Sequence, residues 1–191
     1  YVYVVRSRRS RGLSLGINLD PQKTCNFDCV YCEVIDRRAI ERKTGRPSMD
    51  LAEITDEVRL ELARWPRPGG DVETLADIAY AGDGEPSTFP AFRELSERVL
   101  DVRDAAGFDR VPLVLITNGS GLDRSEMVAA HDLFAARNGV FWIKLDAGTE
   151  AFFKAVDVEL IKTRVMRGLS TPSALMIAPQ LYKLSGDFTR P

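Results

Sequence analysis

The chain has 191 residues, of which 45% are hydrophobic and 28% are charged, and its formal net charge at pH 7 is -2. This composition is typical of a globular domain and excludes a disordered or membrane-embedded segment. No apolar run approaches the roughly 20 residues of a membrane span, and the amino terminus lacks the pattern of a signal peptide. We therefore expect one domain over residues 1–191, located in the cytoplasm, with no membrane partner.

The first predicted elements flank a cluster of cysteines. A buried strand is predicted from Leu13 to Leu19, directly before the cysteines. Apolar residues then recur at helical spacing from Leu51 to Trp65, where Asp50 and Glu53 are placed as a cap and Pro66 as a stop. The pattern predicts a strand followed, after the cysteine segment, by an amphipathic helix.

Strands and helices continue to alternate along the chain. Short apolar runs predict buried strands at 77–81, 111–117 and 140–145. Between them, a helix is predicted from about Thr88 to Ala106 with Pro90 in its first turn, and another from Asp123, whose partner Glu126 completes a capping box. Such alternation predicts an α/β fold with a parallel sheet and crossover helices. Beyond about residue 156 the pattern weakens, although Val158 to Leu169 could form a helix.

The three cysteines of the chain, Cys25, Cys29 and Cys32, fall within eight residues. An odd number so closely spaced does not suit a disulfide framework and indicates metal or cluster binding. Three thiolates can hold three irons of a [4Fe-4S] cluster and leave the fourth iron open to chelation. Zinc is the alternative, since three cysteines and a histidine form a structural zinc site, but the only histidine, His131, lies in a predicted helix far along the chain.

The loop Gly82-Asp83-Gly84-Glu85 directly follows a predicted strand. Glycines there allow the backbone to approach a ligand and present its amides and carbonyls. An ordinary strand-to-helix turn would have the same composition. The loop is therefore a candidate binding element only in combination with other signals.

Two later strands also end in polar residues. Thr117 and Asn118 offer hydroxyl and amide groups at the end of one strand, although a capped turn explains them equally well. In the last strand, alternation places Phe141 on one face and Trp142, Lys144 and Asp146 on the other. A salt bridge between Lys144 and Asp146 and direct contact of both with a ligand are alternative interpretations.

Four arginines near the amino terminus form a basic cluster: Arg6, Arg8, Arg9 and Arg11. Such a cluster could contact the phosphates of a nucleic acid. Because the whole chain is acidic, a solvated basic arm is the simpler interpretation.

The motifs in this order and spacing resemble those of the radical SAM superfamily, in the branch with the wyosine-type tRNA-modifying enzymes and related bacterial Fe-S oxidoreductases. The resemblance rests on Cys-x3-Cys-x2-Cys with Tyr31 before the last cysteine, and on Gly-Asp-Gly-Glu-Pro, Thr-Asn-Gly and Lys-Leu-Asp-Ala-Gly. It covers about residues 6–156, and the cysteine loop is its most specific part. Asp83 stands where the family often has a glycine.

The resemblance implies a partial, open parallel (βα) barrel, truncated or altered on its carboxyl-terminal side. It also implies that the three cysteines hold a [4Fe-4S] cluster, at which S-adenosyl-L-methionine is reductively cleaved to a 5'-deoxyadenosyl radical. Tyr31 would lie beside the adenine, and the Gly82–Glu85 loop would contact the methionine ammonium. A flavodoxin- or ferredoxin-like electron donor and an RNA substrate are the implied partners. A noncatalytic metal- or cluster-binding module and an inactive truncated homologue are the alternatives.

Overall fold

The computed structural model describes residues 1–19, 25–27, 29, 50–66 and 74–144. These residues form five strands and three α-helices. The strands are β1 (Val2–Ser7), β2 (Gly12–Ile17), β3 (Leu75–Tyr80), β4 (Leu113–Thr117) and β5 (Gly139–Ile143). The helices are α1 (Leu51–Arg64), α2 (Phe92–Ala105) and α3 (Ser125–Ala136), with a short 3₁₀ turn at Pro86–Thr88.

The five strands form one sheet in the order β1-β2-β3-β4-β5. Strands β2 to β5 are parallel, whereas β1 pairs antiparallel with β2 at one edge. The carboxyl ends of four strands therefore lie at the same edge of the sheet, where ligands usually bind in α/β folds. The predicted α/β class with a mainly parallel sheet is confirmed.

All three helices pack against one face of the sheet. On that face, side chains from β2, β3 and β4 join helix residues in a single hydrophobic cluster. Leu15, Ile78 and Leu115 are fully buried within it, and the rings of Phe92 and Phe134 lie 6.0 Å apart between α2 and α3. Because the alternation of a strand sends every second side chain to this face, the helices cover only half of the strand residues.

The opposite face of the sheet carries a second, smaller cluster. Ala79, Val114 and Trp142 form its buried centre, with Ala81 and Val140 packed beside them. Phe141 instead packs edge-on against Phe134 on the helix side, with ring centroids 4.9 Å apart. Phe141 and Trp142 therefore lie on opposite faces of the sheet, as the predicted alternation of β5 requires. We refer to the face around Trp142 as the inner face.

Two differences from the sequence-based prediction go beyond a shift of one or two residues at the end of an element. Strand β1 was not predicted, because the arginines of residues 6–11 favoured a solvated arm; Arg6 lies within this strand. Helix α2 begins at Phe92 rather than near Thr88, so Pro90 precedes the helix instead of occupying its first turn. The reason is that the Glu85 side chain caps a separate 3₁₀ turn at Pro86–Thr88.

The predicted capping box at α3 is wrong. The helix begins at Ser125, and its N-cap position, Arg124, makes no side-chain capping bond. The Glu126 carboxylate instead accepts a hydrogen bond from the backbone N–H of Arg93, at 2.8 Å, in the first turn of α2. The carboxylate therefore satisfies a free donor of the neighbouring helix rather than of its own.

The cap of α1 offers a first test of the fold. The Asp50 side chain accepts a hydrogen bond from the Ala52 N–H at 2.8 Å, as predicted. We expect Asp50→Ala to lower the free energy of unfolding by about 1 kcal/mol, because the lost bond leaves an amide at the helix start without its partner. Urea unfolding of this variant beside Asp56→Ala, which removes only an exposed ion pair with Arg59, separates capping from surface charge. Equal losses in the two variants would contradict the capping role.

Within the described residues, no helix is long and apolar enough to cross a membrane.

Candidate functional site

The candidate site lies where the parallel strands end. After β2 come Asn18 and the cysteine loop, after β3 the Gly82–Glu85 loop, after β4 Thr117 and Asn118, and after β5 Lys144. These segments range from residue 18 to residue 144 in sequence, yet hydrogen bonds join them into one network at the carboxyl edge of the sheet. The parallel arrangement is what brings them together.

The described part of the cysteine loop is attached to the end of β4 through Asn26. The Asn26 side-chain amide donates to the hydroxyl of Ser120 at 2.7 Å and accepts from the Asn118 side-chain amide at 3.0 Å. Two opposed hydrogen bonds fix the orientation of this amide. They hold the residue next to Cys25 against the neighbouring strand end.

Cys25 and Cys29 are both half-buried. The backbone N–H of Phe27 points to the Cys25 sulfur at an N···S distance of 3.5 Å. Phe27 itself is buried, with 3% of its surface exposed, and so anchors the loop between the two cysteines. Backbone N–H groups directed at cysteine sulfurs stabilise thiolates and are common in cluster-binding loops. Cys25, Cys29 and this amide are groups of the kind that cluster-binding loops use, while the third cysteine, Cys32, lies outside the described residues.

Glu85 is the centre of the polar network and is only 3% exposed. Its Oε1 accepts hydrogen bonds from the backbone N–H of Ser87 at 3.0 Å and from the Thr117 hydroxyl at 2.5 Å. Its Oε2 accepts from the backbone N–H of Asn118 at 2.7 Å. One buried carboxylate thus joins the loop after β3 to the end of β4. The predicted direct contact between Glu85 and a cofactor stays a prediction, and in this structure the carboxylate positions both loops.

The other members of the Gly82–Glu85 loop face the end of β2. Asn18 donates a hydrogen bond from its side-chain amide to the Asp83 carboxylate at 3.0 Å. Gly82 has a φ of 143°, and a Cβ at this residue would lie 2.6 Å from Asn18 Cγ. Only glycine therefore fits here, because the backbone conformation and the close approach of Asn18 both exclude a side chain. Gly84 is half-buried.

Thr117 and Asn118 are both buried and hold their own turn together. The Thr117 hydroxyl accepts from the Gly119 N–H at 3.0 Å, and the Asn118 side chain accepts from the Ser120 N–H at 2.9 Å. Lys144 is half-buried at the end of β5, and its backbone N–H donates to the Thr117 carbonyl at 2.8 Å. The turn has the bonds of the ordinary capped turn and is joined to Glu85 and Asn26. Contact of Thr117 and Asn118 with a ligand stays a prediction.

Three predicted site residues, Tyr31, Cys32 and Asp146, lie outside the described residues. The complete cysteine trio and the Lys144–Asp146 pair therefore stay predictions. Among the residues that the structure describes, no group of three or more His, Cys, Asp or Glu side chains could hold a metal ion. His131 lies on α3 with its ring edge-on to that of Phe141, and the two ring centroids are 6.0 Å apart.

Burial shifts the pKa of two titratable groups on the inner face, the Tyr3 hydroxyl and the Arg9 guanidinium. Burial raises the pKa of the Tyr3 hydroxyl, and the nearby Asp83 carboxylate raises it further. Burial lowers the pKa of the Arg9 guanidinium, while Asp77 opposes this change. Arg9 therefore does not belong to a solvated arm, because it folds back over the sheet.

Sequence reasoning missed Asn18, Asn26 and Ser120 as site residues. Each bonds to a residue at least 65 positions away, so that no local pattern reveals the contact. One signal was present, however: all three are polar residues within a few positions of a strand end or a cysteine. Such positions at the carboxyl edge of a parallel sheet are the ones most often used for binding.

The chain is similar to several curated proteins. It is 32% identical over 146 residues to a GTPase Obg of Brachyspira hyodysenteriae, which covers 76% of this chain and 19% of that protein. It is 29% identical over 173 residues to a UPF0026 protein of Methanocaldococcus jannaschii, which covers 86% of this chain and 47% of that protein. A UPF0026 protein of Helicobacter pylori is 31% identical over 117 residues, 61% of this chain and 33% of that protein.

The chain spans less than half the length of these curated relatives. No family model matches the chain, and no solved structure matches it significantly.

Proposed function

We propose that this chain is the core of a radical SAM enzyme. Cys25, Cys29 and Cys32 would hold a [4Fe-4S] cluster with one open iron. When bound there, the cluster would supply the electron that reductively cleaves S-adenosyl-L-methionine, giving a 5'-deoxyadenosyl radical for hydrogen abstraction from a substrate. The proposal depends most on the cysteine loop, because its spacing provides three thiolates where a protein-only site would use four.

The position of the loop supports this function. Cys25 and Cys29 follow β2 at the carboxyl edge of the sheet, and Asn26, next to Cys25, is joined to the end of β4 by hydrogen bonds. A cofactor chelated next to the cysteines would lie across the ends of β3 and β4, where Glu85 has fixed both loops. Residues that lock a site before the ligand arrives reduce the entropy lost on binding.

The strand order supports an open (βα) barrel of the radical SAM type. Strands β2 to β5 follow each other in the sheet without a reversal of order, and α1, α2 and α3 all pack on one face. A doubly wound fold would reverse its strand order and place helices on both faces. Sequential order with helices on one side is the winding of a barrel.

The inner face would then be the interior of the barrel. Asn18, Asn118 and Lys144 are polar residues that directly follow β2, β4 and β5. In the proposed enzyme they would orient polar groups of the cofactor or substrate, while Trp142 and its apolar neighbours exclude water below them. Exclusion of water protects a reactive radical from side reactions.

The GTPase name of one relative does not extend to this chain. A phosphate-binding loop of that kind needs glycine directly before its lysine. No lysine among the 191 residues follows a glycine, and the match covers only 19% of that protein.

The proposed enzyme needs an external reductant, for which a flavodoxin- or ferredoxin-like protein is suited. RNA is the proposed substrate class, in keeping with the resemblance to the wyosine-type enzymes. Arg6, Arg8 and Arg11 are exposed at the β1 side of the sheet and would contact the phosphates.

Anaerobic reconstitution of the full chain with iron and sulfide tests the proposal. We expect about four iron and four sulfide ions per chain, with thiolate-to-iron charge-transfer absorbance. Reduction in the presence of S-adenosyl-L-methionine is then expected to release 5'-deoxyadenosine. A chain that binds zinc and no cluster would establish the noncatalytic module instead. An intact cluster that yields no 5'-deoxyadenosine would establish the inactive homologue.

A further inference from the structure

Two hydrogen-bond donors are buried without a partner on the inner face. Nη1 of Arg9 and Nε1 of Trp142 are both shielded from solvent and make no hydrogen bond with the residues that the structure describes. Trp142 is itself only 9% exposed. A buried donor without an acceptor is unfavourable, and a charged donor more so. Two such donors on neighbouring side chains indicate that an acceptor which the described residues do not supply belongs here.

The two donors belong to side chains in contact. The Arg9 guanidinium lies over the indole ring of Trp142, with Cζ 5.2 Å from the ring centroid. Arg9 comes from the turn between β1 and β2, whereas Trp142 lies on β5 at the other end of the sheet. Their meeting brings Nη1 and Nε1 within the span of one small ligand. The stacking also fixes the guanidinium, because a cation over an indole face is held by the ring quadrupole.

The acidic neighbour of Arg9 is already engaged. Asp77 is 1% exposed and accepts a hydrogen bond from the Ser14 hydroxyl. It lies close enough to influence the pKa of Arg9, yet it forms no ion pair with Arg9 within the described residues. The Arg9 guanidinium therefore has the Asp77 carboxylate nearby but does not donate a hydrogen bond to it. A partly buried charge in this state is normally paired.

We infer that Arg9 Nη1 and Trp142 Nε1 form a binding site for a carboxylate group of a small-molecule ligand. Each donor would bond one oxygen of the carboxylate. Ala79 of β3 and Ala81, which directly follows that strand, are small residues of the same face beside the indole. Arg9 precedes β2 whereas Cys25 and Cys29 follow it, and the site does not require a cluster.

The charge of the surroundings favours a carboxylate over a phosphate. Arg9 and Asp77 contribute one positive and one negative charge, so Arg9, Asp77 and a bound monoanion together have a net charge of minus one. With a dianionic phosphate the net charge would be minus two, and unbalanced charge is costly in a partly buried site. Planar carboxylates also match one guanidinium nitrogen and one indole nitrogen better than a tetrahedral anion that calls for more donors.

Nitrogen-15 NMR of the indole groups tests the inference on the full chain without iron. The chain has two tryptophans, so Trp65→Phe leaves the Trp142 signal alone. We expect propionate, added at constant pH and ionic strength, to shift that signal with saturation. Propionamide and inorganic phosphate should bind at least roughly tenfold more weakly than propionate. Propionamide loses the charge-assisted hydrogen bond, and phosphate adds an unbalanced charge.

Arg9→Gln should weaken propionate binding at least roughly tenfold, whereas Arg8→Gln, at the exposed neighbouring residue, should leave it unchanged. The spectrum of Arg9→Gln shows whether this variant is folded. If it is unfolded, the comparison of propionate, propionamide and phosphate on the chain that retains Arg9 tests the inference. An unmoved Trp142 signal would mean that water alone fills the site and would overturn the inference. So would equal binding of propionate and propionamide, or of propionate and phosphate.

Discussion

Replacement of Glu85 by alanine is expected to lower the free energy of unfolding by about 3 kcal/mol or more. The carboxylate accepts three hydrogen bonds, from Ser87, Thr117 and Asn118, in a place with almost no solvent. Alanine would leave two backbone N–H groups and a hydroxyl unsatisfied, and each costs about 1 to 3 kcal/mol. Guanidinium unfolding followed by circular dichroism measures the loss.

Two further variants give this measurement its control. Glu94→Ala removes an exposed carboxylate of α2 that pairs with Arg98 and should cost less than about 1 kcal/mol. Glu85→Gln keeps one acceptor oxygen but turns an amide donor toward other donors, so we expect a loss between those of the two alanine variants. If Glu85→Ala and Glu94→Ala unfold at the same denaturant concentration, the central role of Glu85 in the network is refuted.

Cys29→Ala is expected to abolish cluster binding and to reduce 5'-deoxyadenosine formation to background. With only two thiolates left, the loop cannot hold three irons of a cubane. Cys29 is half-buried, and the substitution should barely change the unfolding midpoint. Iron content, sulfide content and product are measured on the reconstituted variant beside the unmodified chain.

Asn26→Ala is the matched comparison for the cysteine variant. It removes the bonds to Ser120 and Asn118 but no proposed ligand, so iron content should stay near that of the unmodified chain while product formation falls. This pattern distinguishes ligation from positioning of the loop. Full iron content in Cys29→Ala would exclude this cysteine as a ligand and, with it, the proposed cluster site.

The sequence was sufficient for the parallel part of the fold. Strands β2 to β5 and the three helices were predicted because their apolar residues recur with the periods of strands and helices. Strand β1 was missed because Arg6 and its neighbours suggested solvent exposure, although Val2, Val4 and Val5 have the branched side chains that favour strands. The Glu126 capping box failed because a donor of another helix, at Arg93, competes for the same carboxylate.

The candidate site was predicted by position but not by its bonds. Motifs at strand ends identified Glu85, Thr117 and Asn118, yet nothing local shows that the carboxylate of the first bonds the other two. The same is true of Arg9, whose contact with Trp142 crosses the sheet. Contacts between residues far apart in sequence depend on strand order and on the shape of the sheet, which one sequence does not state.

The three described helices lie on one side of the sheet, so its two faces have different structural roles. The larger hydrophobic cluster lies behind the strands, under the helices, while only a small cluster packs in front. Outside that small cluster, substitutions in front can accumulate with little loss of thermodynamic stability. We expect relatives with the same scaffold to diverge mainly there, each acquiring its own molecular preference without rebuilding the architecture behind it.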